Sequence, residues 1–107
     1  MSPNVFAGLV AGTIVVSMLA LVAMTIRAGQ AAGKPVGVCG EAAADPLLAC
    51  VLTGMGVTSL SAAAAAVRGV GAKLAQVTSK QCAEAAAAVL ATGSAAEARA
   101  AALEVLG

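Results

Sequence analysis

Residues 34–46, KPVGVCGEAAADP, decide how the rest of the chain is read. Val36-Gly37-Val38-Cys39 is a short apolar run with β-branched residues, bounded by Pro35 and Gly40. A run of that kind reads as a buried strand of the parallel type. Asp45-Pro46 reads as a helix start. An aspartate accepts hydrogen bonds from the free N–H groups of a first turn, and proline suits the first helical position. Between strand and helix stand a thiol, a glycine and a carboxylate, Cys39-Gly40-Glu41.

Towards the C-terminus, PLLACVLT continues the helix to Gly54 and Gly56, which suit a C-terminal cap. Val57 to Leu60 is a second strand candidate. Residues 62–76 form an Ala-rich helix with Val67, Val70 and Leu74 on one side. Thr78-Ser79-Lys80-Gln81 and Ser94-Ala95-Ala96-Glu97 both fit the capping-box pattern, so two more helices begin near 79 and 95, separated by Thr92-Gly93. Towards the N-terminus, Leu19, Val22, Ala23 and Ile26 have helical spacing, with Thr25 and Arg27 off the stripe. Gly29 and Gly33 weaken that helix and Pro35 ends it. Strands alternating with helices at this spacing predict βα units and a parallel sheet. Two strands cannot make a stable parallel sheet with both faces covered, so the expected unit is an incomplete, helix-rich piece of an α/β fold.

Composition agrees with incompleteness. The chain has 107 residues, room for one small domain, with 61 % hydrophobic and 10 % charged residues. A typical soluble domain carries about 25 % charged residues. The net charge of +1 gives no field that would argue for nucleic acid. Alanine offers little apolar area, so a core built mainly from it is thin. Such a chain should want a membrane, a partner or the rest of a larger fold. With no histidine, the commonest general base and metal ligand are missing. Cys39, Cys50 and Cys82 form no CxxC pair, which argues against a disulfide framework and a zinc site. Reduced thiols in a cytoplasmic protein are expected, with Cys50 and Cys82 as packing residues on helix faces. Charged side chains begin only at Arg27. Val5 to Ile26 is long enough to cross a bilayer of about 30 Å, and Arg27 and Lys34 after it would leave the C-terminal part in the cytoplasm. Residues 1–26 are therefore expected to be either a transmembrane helix or a buried helix of the fold.

A cysteine at the C-terminal end of a parallel strand sits where α/β barrels place catalytic groups. The helix starting at Asp45 would bring oriented N–H groups near it, suited to an anion. A thiol there can donate a proton to a carbanion-like carbon or act as a nucleophile. The plain alternative is a small buried hydrophobe that ends a strand.

GKPVGVCGEAAADPLLACVLTGMGVTSLS resembles the late strands of the phosphoenolpyruvate-binding barrel of enzyme I, the phosphoenolpyruvate–protein phosphotransferase family of the bacterial sugar phosphotransferase system. Val36, Val38, Cys39, Gly40, Glu41, Ala43, Asp45 and Pro46 match its pattern, as do Leu52, Gly54, Met55, Gly56 and Leu60-Ser61. LALVAMTIRAGQAAGKP looks like the preceding helix, and Thr78 to Gly107 like the family's closing helices. Pyruvate phosphate dikinase and phosphoenolpyruvate synthase share the cysteine motif. The sequence departs from the pattern at Ala42, Ala44 and Ala62-Ala63, and residues 1–17 resemble nothing in it.

The resemblance implies a piece of a (β/α)8 barrel, the last two strands with their helices, over residues 27–107, behind an apolar N-terminal helix that is an altered barrel helix if it does not span. It implies that Cys39 protonates the enolate carbon of phosphoenolpyruvate, with Gly40, Glu41 and Asp45 as its loop. Glu41 would orient that loop or touch metal-bound water. The family also uses a phosphorylated histidine in a separate domain, Mg²⁺ held by carboxylates on earlier strands, and arginines that clamp the phosphate. None of these is supplied before Cys39, so a C-terminal fragment without catalysis of its own is expected. The partners implied are phosphoenolpyruvate, the phosphocarrier protein and a second copy through the barrel domain. The other readings are a small single-pass membrane protein anchored by residues 5–26, and a non-catalytic dimerisation or complementation module.

Overall fold

The structure, a computed structural model, describes the backbone of residues 3–107 and the side chains of residues 17–107. The elements run α1 (Pro3–Ala31), β1 (Gly37–Cys39), α2 (Glu41–Ala44), α3 (Pro46–Met55), β2 (Ser59–Ser61), α4 (Ala64–Ala75), α5 (Ser79–Leu90) and α6 (Ala95–Leu106). The chain is a helix-rich α/β unit, and its two strands are parallel and paired in register, Gly37 with Ser59, Val38 with Leu60 and Cys39 with Ser61.

Local chemistry sets most boundaries. Asp45 caps α3: its Oδ1 accepts from the N–H groups of Leu47 at 2.9 Å and Leu48 at 3.3 Å, and Pro46 follows at the first helical position. The helix closes on Gly56 at φ 103°, a left-handed turn that glycine adopts without Cβ strain. Gly54 is not part of that cap. It lies inside α3, and a Cβ there would collide with the backbone carbonyl of Cys82 in α5. The missing side chain lets the two helices approach. Thr78 and Gln81 form the full capping box of α5. At α6, Ser94 Oγ accepts from the Glu97 N–H at 3.2 Å, while the Glu97 carboxylate reaches one residue further back, to the N–H of Gly93.

The core lies among α3, α5 and α6. Cys50, Val51, Cys82, Ala85, Val89 and Ala102 are buried together there. Alanine contributes little area per residue, but it keeps the helices close and the interior dense. Cys50 and Cys82 are thus packing residues, as expected. From α1, Leu19, Ala23 and Ile26 are buried, while Thr25 and Arg27 face outward.

Several expectations change. Among the described residues no helix is long and apolar enough to cross a membrane. Residues 5–16 of the expected span lie outside the residues whose side chains are described. Over its described part, the apolar stripe of α1 packs on the helical body, so its hydrophobicity is used within the fold. The strands are not buried: Gly37, Cys39, Ser59 and Ser61 are exposed, and Val38 and Leu60 are half-buried. Among the described residues, one face of the pair is half-buried and the other is open. The second strand begins two residues later than Val57, because Val57 still closes α3 through its N–H to the Leu52 carbonyl. On α4, Val70 is buried but Val67 is 55 % exposed. Val67 instead lines an open cleft of about 340 Å³ between α4 and β2.

Candidate active site

The strand pair starts from a pinned end. The Thr58 hydroxyl donates to the Val36 carbonyl at 2.9 Å, and the same oxygen accepts from the Val36 N–H at 3.0 Å. The Thr58 N–H adds a bond to the Val36 carbonyl at 2.8 Å. Both strands therefore leave the same point in the same direction, and their C-terminal ends, Cys39 and Ser61, arrive side by side. One further ladder bond, from the Gly40 N–H to the Ser61 carbonyl at 3.1 Å, holds the chain just past the thiol.

Side chains alternate across the pair. Val38 and Leu60 are the half-buried residues, and Leu60 faces the cleft beside α4 together with Ala43. Gly37, Cys39, Ser59 and Ser61 occupy the open face. A Cβ at Gly37 would crowd the Ser59 hydroxyl, which fixes those two residues on the same side. The open face is therefore made of small residues, with a thiol and a hydroxyl at its C-terminal edge. Cys39 is exposed, so it is not a buried hydrophobe ending a strand.

After Cys39 the chain turns at Gly40, with φ 101° and ψ −157°. This backbone region is essentially restricted to glycine, so Gly40 is required by geometry. The turn starts α2, a single helical turn that the sequence did not announce. Glu41 lies exposed in that turn, and Ala43 is fully buried under it. Asp45 ends the loop and anchors it. Its second oxygen, Oδ2, accepts from Arg99 Nη1 of α6 at 3.2 Å. Of the four residues expected at the site, Cys39, Gly40 and Glu41 share the end of β1, while Asp45 stands at the far end of the loop as a cap and an ion-pair partner.

Arg99 was not singled out from the sequence. It lies 54 positions from Asp45, on a helix face with no local sign of that contact. Ser61, the in-register neighbour of Cys39, stands out in the sequence only through the Leu60-Ser61 match. Among the described residues no group of three His, Cys, Asp or Glu side chains stands close enough to hold a metal ion. Away from the site, burial pushes the Cys50 thiol above its ordinary value, and the neighbouring Cys82 adds to the rise. A buried thiol held in its neutral form is a poor nucleophile, so Cys50 has no part in this chemistry.

Residues 5–79 match the sequence pattern of the PEP-utilising enzymes' PEP-binding domain, so the match takes in residues 5–17, against the expectation that this segment resembles nothing in the family. A phosphoenolpyruvate-protein phosphotransferase of Streptomyces coelicolor is 61 % identical over 90 residues, which are 84 % of this chain and 16 % of that protein. A multiphosphoryl transfer protein of Rhodobacter capsulatus is 47 % identical over 58 residues, 54 % of this chain and 7 % of the relative. A phosphoenolpyruvate-protein phosphotransferase of Cupriavidus necator is 51 % identical over 45 residues, 42 % of this chain and 8 % of the relative. The chain thus spans a small part of the length of each relative. With the pattern matched over most of its residues, the chain belongs to the PEP-utilising enzyme family, through that family's PEP-binding domain.

Proposed function

We propose that this chain supplies the acid end of a phosphoenolpyruvate-dependent phosphotransferase, with Cys39 protonating the enolate left after phosphoryl transfer. The observation that carries this reading is the exposed thiol at the C-terminal end of an in-register parallel pair, on a face of small residues open to a ligand. When the phosphoryl group leaves, the former enol oxygen keeps the bonding electrons and the substrate becomes the enolate of pyruvate. The Cys39 S–H bond breaks, its proton forms a C–H bond at the methylene carbon, and the carbonyl is completed. The product is pyruvate, and the sulfur is left as a thiolate to be reprotonated from solvent. Gly40 turns the backbone away from the reacting carbon, and Glu41 orients the loop.

In this reading residues 27–107 are the last two strands and closing helices of a (β/α)8 barrel, and residues 1–26 an altered barrel helix. Open edges on both strands and an uncovered small-residue face support it, since a parallel sheet is normally buried on both faces. The phosphate-clamping arginines and the histidine that receives the phosphoryl group belong to other parts of the enzyme. The carboxylates present do not make a Mg²⁺ site: Asp45 is engaged by the α3 amides and Arg99, which leaves Glu41 alone on the loop. Phosphoenolpyruvate, a phosphocarrier protein, a second copy of the barrel, a role in sugar uptake and a cytoplasmic location follow from the same reading. A second reading, a non-catalytic module that docks on another copy or complements a partial barrel, is favoured by the exposed Met18, Leu21 and Met24 on α1.

The test is a chimera in which this chain replaces the matching segment of the Streptomyces relative. Cys39→Ser in it should keep phosphoenolpyruvate binding and lower pyruvate formation by about 10²-fold or more, the usual worth of a positioned general acid. Unchanged turnover would refute the proton-donor role.

A further inference from the structure

We infer that Arg99 is a positioning residue for the Cys39 loop, acting through Asp45, and that α6 is the element that sets the geometry of that loop. The inference rests on the reading of Cys39 above, and goes beyond it by giving residues after the matched pattern, which ends at residue 79, a part in the site.

The loop from Gly40 to Asp45 has few internal restraints. It contains one helical turn, it starts on a glycine at φ 101°, and the Gly40 N–H to Ser61 carbonyl bond holds its first residue. Ala43 is buried beneath it, and at its other end the Asp45 carbonyl accepts from the Ala49 N–H at 2.8 Å while the Asp45 side chain ties it to two helices. Asp45 uses Oδ1 for the amides of Leu47 and Leu48, and Oδ2 for the guanidinium of Arg99 at 3.2 Å. The two oxygens thus serve different elements, α3 and α6. A cap alone leaves the carboxylate free to rotate with the loop, whereas a cap plus a guanidinium from a separate helix fixes its plane.

The helix that carries Arg99 is itself anchored. Ala98, Ala102 and Leu106 are buried against the core. At the far end of α6, Lys73 of α4 donates to the carbonyls of Leu106 at 3.2 Å and Gly107 at 3.4 Å. These are helix-terminal carbonyls that have no partner within their own helix. Arg99 and Asp45 also stand over an apolar cleft of about 190 Å³ lined by Leu19, Leu48, Val51 and Ala102. Arg99 and Asp45 line that cleft together, and the guanidinium meets the carboxylate there. The contact therefore joins the helical core, through α6, to the loop that follows Cys39.

The experiment is backbone amide exchange on the intact chain, followed residue by residue, for three variants. Arg99→Met keeps the stem and removes the guanidinium. Asp45→Asn keeps the cap, because asparagine caps as well as aspartate, and removes the charge. Arg99→Lys restores a cation. Arg99→Met should speed exchange at Gly40, Leu47 and Leu48 by about two- to fivefold, the range of an exposed ion pair, and leave Cys82 to Val89 unchanged. Asp45→Asn should do the same, the double variant should do no more than either, and Arg99→Lys should recover most of the protection. Unchanged loop exchange in Arg99→Met, equal acceleration across the core, or additive effects in the double variant would each overturn the tie. In the chimera, Arg99→Met should lower kcat with KM unchanged. If Cys39→Ser leaves turnover intact while the exchange pattern appears, the proton-donor reading fails and the tie stands.

Discussion

The helical body and the strand pair are built on opposite terms. Where α3, α5 and α6 face one another the residues are buried, many of them alanine or cysteine, and the helices touch closely enough that Gly54 has no room for a methyl group. In β1 and β2 the side chains are also small, yet the face bearing Cys39 and Ser61 is open. The same economy of side-chain volume gives density in one region and access in the other. The buried core lies in the helices and the proposed chemistry on the strands, and the difference can be broken from either side.

The largest effect is expected at the helix contact. Gly54→Ala removes the entropic cost of a glycine within a helix, a gain of at most about 0.5–1 kcal/mol so near the helix end. It also forces a methyl group against the Cys82 carbonyl, and overpacking of this kind costs about 1–3 kcal/mol. The opposing atom is backbone and cannot swing aside, so the clash wins. The variant should lose about 1–2 kcal/mol by urea unfolding. A more stable variant would mean that the two helices can separate freely, and the contrast between a dense body and an open sheet would fail.

That position also shows where sequence reading stops. The caps at Asp45, Thr78 and Ser94 were legible because a cap is a contact within four residues. The α1 stripe of Leu19, Val22, Ala23 and Ile26 was legible because a helix face turned to the core repeats at fixed spacing, and only Val22 of the four stays half-buried. The end of β1 at Cys39 and the turn at Gly40 were legible because a short β-branched run stops at a glycine there. Gly54 looked like part of a cap because a glycine near a helix end usually is one, and its true constraint comes from Cys82, which no local window contains. The strands looked buried because β-branched runs usually are, and exposure depends on which layers are present. Arg99 left no sign at all, since an exposed arginine on a helix pairs with whatever the fold brings to it.

A smaller effect should appear with pH. Burial raises the Cys50 thiol above its ordinary 9.0, with Cys82 next in weight. Above that value the unfolded chain gives up the proton while the folded chain keeps it, so the folded state holds more protons. Stability then falls with rising pH. The contribution of Cys50 is complete below about pH 9 and lost as pH climbs through the raised value. Urea midpoints from pH 8 to pH 10.5 should fall for the native chain. The fall should be shallower in Cys50→Ala, whatever that variant's overall stability. Equal slopes would mean that the thiol stays solvated and the body is less tightly closed than its packing indicates.

The smallest effect on stability is expected at the residue with the largest proposed effect on chemistry. Cys39 is exposed, at the end of a strand with an open face. Cys39→Ser replaces one small side chain by another, removes no buried contact, and leaves untouched the Gly40 to Ser61 backbone bond that orders the turn. Surface changes without such losses usually fall within about 0.5 kcal/mol, and the urea midpoint should stay inside that margin. A larger loss would show that the thiol is part of the packing and would weaken its claim as an acid. A silent substitution in unfolding, paired with slowed turnover in the chimera, would set Cys39 apart from Cys50 and Cys82, which share its side chain but are enclosed.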